Sequence, residues 1–157
     1  MEKGQTRVII ENLLPCIDEG AFPIKRVIGE TVTVKATVFS DGHDSVTAVL
    51  LVKGPSAKEW TEVPMNPMGT DIWSADFAVT ETGFYRYTVE AWVDHFQTWQ
   101  RDLKKRHEAN QDLAVQFQIG ASFAEEAAAR ASGSDQAPRR STRSFSSCWQ
   151  PLCCPSR

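Results

Sequence analysis

Histidine has the widest chemical range of any side chain at neutral pH, and this sequence holds three, His43, His95 and His107. They are scattered over predicted turn and loop positions, which reads as solvent-exposed polar residues. Glu125 and Glu126 adjoin on a predicted helix. Neighbours one residue apart do not face each other, so the two make a poor acid/base pair. No Gly-Lys-[Ser/Thr] phosphate loop, no G-x-G-x-x-G, no H-E-x-x-H and no G-x-S-x-G nucleophile elbow occurs. Cys148, Cys153 and Cys154 lie close together near the C-terminus, but there is no second pair and no nearby histidine to complete a zinc site. Cys16, alone in the body, reads as a small buried or half-buried apolar residue. The expectation is no catalytic residue, no cofactor and no metal.

Two clusters could recognise a partner without catalysing anything. Phe84 and Trp92 share a predicted strand face with Arg86, Thr88 and Glu90, and Trp60 opens another short strand. Exposed aromatics on a sheet stack on sugar rings or mark a surface that docks on another domain; the plain alternative is partial cover by the 96–110 segment. The other cluster lies on a predicted helix. Phe96, Trp99 and Leu103 recur at i, i+3 and i+7, with Arg101, Lys104 and Lys105 beside them. An apolar centre with a charged edge is the anatomy of a docking patch. Its plain alternative is a solvated helix face.

The elements that must position these residues read mainly as strands. In Thr31–Phe39 the residues Val32, Val34, Ala36 and Val38 alternate with polar ones, the period of a half-buried strand. Ser45–Lys53 is almost wholly apolar and reads as a central strand covered on both faces. Trp60–Val63 is a short strand, Asn66–Asp71 a turn, and Trp73–Val79 a strand with Trp73, Ala75, Phe77 and Val79 inward. Phe84–Val93 carries Tyr85, Tyr87, Val89, Ala91 and Val93 on one face. Arg7–Glu11 reads as a first, edge strand, and Leu113, Val115, Phe117 and Ile119 as a last one. Asp94 is a plausible N-cap for a helix over 96–110, and 121–131 is rich in Ala and Glu. About seven short strands separated by turns predict an antiparallel β-sandwich of the immunoglobulin or fibronectin type, with one or two short helices.

The chain has 157 residues, enough for one domain and a tail, and too few for a (β/α)8 barrel of about 250. Residues 1–132 carry 13 Lys and Arg against 19 Asp and Glu, a net of −6; residues 133–157 carry four Arg and one Asp, a net of +3. An acidic body argues against nucleic-acid binding. The basic segment is rich in Ser, Arg and Pro, shows no period, and reads as disordered. No apolar run approaches a membrane span and no secretory signal opens the chain, so the expected location is cytoplasmic.

Several segments in order carry a family resemblance: ENLLP, FPIKRVIGE, VFSDGHD, YTVEAWVDHFQTW and the DLKK step, within residues 6–131. They resemble the N-terminal region of the maltosyltransferases that extend α-1,4-glucans from maltose 1-phosphate, members of the α-amylase superfamily (glycoside hydrolase family 13). The resemblance implies an immunoglobulin-like domain over 1–120 and, over 121–131, the start of a linker helix. In the family a (β/α)8 barrel with an Asp nucleophile and a Glu acid/base follows. Residues 132–157 leave the family pattern, as a truncated or frameshifted reading frame would.

The resemblance implies a non-catalytic domain that packs on the barrel and takes part in homodimer association, meeting α-glucan only indirectly. On that reading Phe96, Trp99 and Leu103 dock, with Arg101, Lys104 and Lys105 at the rim. The alternative is an independent glucan-binding module using Phe84, Trp92 or Trp60.

Overall fold

The computed structural model describes residues 7–131, 144–145 and 150–154. The chain divides into two compact units: one holds the strands, and the other holds residues 43–45 and the helices after Val93.

The strand unit is built from β1 (Val8–Leu14), β2 (Ile24–Lys25), β3 (Thr31–Ser40), β4 (Val46–Lys53), β5 (Thr61–Pro64), β6 (Asn66–Gly69), β7 (Ile72–Ala78) and β8 (Gly83–Val93). Two short strands, β9 (Ser144–Phe145) and β10 (Gln150–Cys154), join it from the C-terminal segment. One sheet runs β1-β3-β7-β6; the other runs β2-β10-β8-β4-β5, with β9 also pairing with β8. Counting β1, β3, β4, β6, β7, β8 and β10 as A to G, the sheets read A-B-E-D and G-F-C, the immunoglobulin strand order. All pairs are antiparallel except β10 with β2.

Alternation decides which face is core. Val32, Val34, Ala36 and Val38 of β3 are buried, as are Ala75 and Phe77 of β7 and Tyr85, Tyr87, Val89 and Ala91 of β8. Register places Val32 opposite Phe77 and Val34 opposite Ala75. The Phe77 ring lies 6.1 Å from Tyr85 and 5.8 Å from Tyr87, joining the two sheets through aromatic contact. The Tyr85 hydroxyl accepts the backbone N–H groups of Thr80 and Glu81 at 3.0 and 3.1 Å. A tyrosine at the start of strand F that binds back to the preceding turn is a mark of this sandwich class.

Two sequence expectations are corrected. Leu113–Ile119 is not a strand: Ala114–Ala131 forms one helix. The intervening Ala114, Gln116 and Gln118 are strong helix formers, and Asp112 Oδ1 accepts the Ala114 N–H at 3.0 Å. The last strand before the helices is therefore β8, ending at Val93. Asn66–Asp71 holds a strand, β6, turned into β7 through Thr70 and Asp71, both at positive φ. A two-residue turn of that hand suits the twist of a tight hairpin. Of the segment 132–157, read from the sequence as a disordered tail, Ser144–Phe145 and Gln150–Cys154 are described and pair with β8; the rest lies outside the described residues. Cys148 lies outside them too.

Candidate functional site

The outward face of β8 is not uniformly open. Phe84 is 58% exposed and Arg86 is exposed, but Thr88 is buried and Glu90 is 0% exposed. Trp92 is half-buried. The neighbouring outward residues of β4, Val49 and Leu51, are buried as well. The face that alternation turns away from the core is covered at its centre. Eight residue steps along the strand separate Phe84 from Trp92, roughly 26 Å at about 3.3 Å per step. The two cannot serve one sugar ring. Trp60 directly precedes Thr61, which pairs with Val52, so it belongs to the Lys53 end of the sheet, with Phe84 and away from Trp92.

At that end lies a cleft of about 470 Å³ lined by Lys53, Gly54, Pro55, Gly83, Phe84 and Arg86. Lys53 and Arg86 are direct cross-strand partners. The cleft wall is fixed by Glu81, whose Oε1 accepts the Ser56 N–H at 3.2 Å and the Ser56 hydroxyl at 2.7 Å. Gly83 has φ +136, and a Cβ there would lie 2.7 Å from Pro55, so glycine allows the two turns to close on each other. Lys53 Nζ is occupied in part by the Lys58 carbonyl at 2.8 Å. The arrangement offers one aromatic edge and two cations. It offers no general acid/base pair.

The helical unit contains α1 (His95–Glu108) and α2 (Ala114–Ala131). Asp94 caps α1 as expected: its Oδ1 accepts the Gln97 N–H at 2.9 Å. Asn110 at φ 52 ends the helix, a left-handed position that Asn tolerates. Trp99 faces α2: its Nε1 donates to the Gln116 carbonyl at 2.9 Å, and its ring covers Gly120. Phe96, Trp99 and Phe123 form an aromatic triad with centroids 5.4 to 6.1 Å apart. Of the six residues read as a docking patch, Trp99 is therefore engaged inside the hairpin. Leu103 is half-buried, Phe96 keeps an exposed edge, and Lys104 and Lys105 are exposed. Arg101 donates to the His43 carbonyl and lies 3.6 Å from Asp102. On α2 the residues Val115, Phe117 and Ile119 are exposed, a surface the strand reading had concealed.

Among the described residues no group of three His, Cys, Asp or Glu is placed to hold a metal, and no helix is long and apolar enough to cross a membrane. Cys16 is half-buried.

Comparison with known proteins identifies the family. Residues 6–150 match the family model described as alpha-1,4-glucan:maltose-1-phosphate maltosyltransferase, domain N/S. The chain is 45% identical over 132 residues to the alpha-1,4-glucan:maltose-1-phosphate maltosyltransferase of Chlorobaculum tepidum, covering 84% of this chain and 20% of that protein. It is 44% identical over 128 residues to the Myxococcus xanthus protein of the same name, covering 79% and 19%. For the Methylacidiphilum infernorum protein the figures are 40% over 117 residues, 74% and 18%. The chain spans about a fifth of the length of these curated relatives. The chain belongs to the α-1,4-glucan:maltose-1-phosphate maltosyltransferase family, in the region of its N/S domain.

Proposed function

We propose that this chain is a non-catalytic N-terminal domain of a maltosyltransferase that extends α-1,4-glucans from maltose 1-phosphate. Its work is packing against a catalytic barrel and association of subunits into a homodimer. The observation that carries the reading is the match of residues 6–150 to the N/S domain, in relatives about five times longer than the matched region. The reading includes a cytoplasmic location. The test is direct. The purified chain should show no maltosyl transfer from maltose 1-phosphate and no heat on titration with maltooligosaccharides. Measurable transfer by this chain alone would overturn the proposal.

One observation favours a second reading, a glucan-binding module: Phe84 stands exposed at the mouth of a cleft. An aromatic edge beside hydrogen-bond donors can seat a sugar ring. That reading requires a tryptophan fluorescence shift at millimolar sugar that is lost on Phe84→Ala or Trp60→Ala.

A further inference from the structure

The connection between β1 and β3 shows apolar side chains where the loop of a free-standing domain would show polar ones. Ile17, Phe22, Val27 and Ile28 are each between 45% and 57% exposed. The segment is nevertheless firmly anchored. Tyr87 Oη donates to the Pro15 carbonyl from within the core. A 3-10 turn follows, with Gly20 N–H to the Ile17 carbonyl at 3.0 Å and Ala21 N–H to the Asp18 carbonyl at 2.9 Å. Ile24 is buried in the core. Gly29 N–H donates to the Val79 carbonyl at 2.8 Å, and Val79 N–H to the Glu30 carbonyl at 2.9 Å. Glu30 Oε2 accepts the Val27 N–H at 3.2 Å and lies 4.0 Å from Arg26 Nε.

Apolar side chains held outward on a pinned backbone, with Glu19, Lys25, Arg26 and Glu30 among them, have the composition of an interface. We propose that this connection is the face on which the remaining four-fifths of a maltosyltransferase chain docks, with Phe22, Val27 and Ile28 as its apolar anchors. The inference rests on the reading of the chain as a packing domain. The occupant follows from length: relatives 45% identical over this region extend far beyond it, since the match covers 20% of the protein. A domain inside such a chain must bury apolar surface against its neighbours, and interfaces between domains take several hundred Å² or more.

The test uses the chain itself and a chimera. In the chimera, the residues of this chain that match the Chlorobaculum tepidum enzyme replace that enzyme's own. A triple variant, Phe22→Ser, Val27→Ser and Ile28→Ser, is made in both. In the isolated chain the triple leaves the thermal midpoint unchanged and reduces aggregation. In the chimera it loosens the docked domain, so limited proteolysis releases that domain roughly tenfold faster or more, as expected when apolar anchors are removed from an interface. The matched control, Met68→Ser with Ile72→Ser, changes neither. A chimera whose proteolysis ignores the triple overturns this docking face alone. So does an isolated chain that loses its thermal midpoint, because the residues would then be core. A homodimer of the isolated chain that the triple dissociates would assign the face to a second copy and also overturn the proposal. An unsubstituted chimera that neither holds together nor transfers maltose counts instead against the packing-domain reading.

Discussion

The indole of Trp99 occupies the space that a side chain at Gly120 would need: a Cβ built on Gly120 collides with the ring. The same indole donates its N–H to Gln116, one turn earlier on α2. The pair fixes how α1 lies on α2, and it requires glycine in a helix interior, where glycine costs about 1 kcal/mol relative to alanine.

Gly120→Ala therefore tests packing against propensity. Propensity favours alanine, yet overpacking of a fixed contact costs about 1–3 kcal/mol. Helical circular dichroism should melt at a lower temperature in Gly120→Ala, and the double variant Gly120→Ala/Trp99→Ala should recover part of the loss. A melt raised by Gly120→Ala alone would show that the ring is free to move away.

Tyr85→Phe removes one oxygen and leaves the N–H groups of Thr80 and Glu81 without that acceptor. Stability should fall by about 1–3 kcal/mol in urea unfolding, with the slope unchanged. A neutral result would mean that water replaces the hydroxyl at no cost.

Gly83→Ala meets two obstacles, a backbone at φ +136 and Pro55 at 2.7 Å from the new methyl. Neither obstacle is the far end of a flexible side chain. The expected loss is about 1–3 kcal/mol from the backbone conformation alone. Phe84→Ala, next along the strand, should change stability little, because its side chain is already mostly in water. The contrast between neighbours separates what builds the cleft from what could occupy it, and paired thermal melts measure it.

Asp94→Ala removes the acceptor for the Gln97 N–H. Loss of an N-cap costs about 1 kcal/mol. Asp94→Asn should retain most of the stability, since the amide oxygen still accepts, and helical circular dichroism on heating distinguishes the two.

The sandwich was legible because its signals are local. A period of two in β3, β7 and β8 names the core residues directly, and these are buried, Trp73 and Val93 in part. The Asp94 cap and the edge position of β1 were legible for the same reason. The candidate docking residues were less so. The spacing of Phe96, Trp99 and Leu103 marks an apolar stripe but does not say whether the stripe faces a partner or the second helix.

Sequence by itself determined the family, the class of fold and the lack of a recognisable catalytic motif, since these depend on residue type and short-range order. Only tertiary structure decided that 113–119 winds into α2, that Trp99 turns inward onto Gly120, and that Thr88 and Glu90 are buried although their strand face reads as open. Each of those depends on what lies opposite a residue in space. A periodic pattern fixes which side chains share a face, but the energy of burying that face is set by whatever comes to cover it.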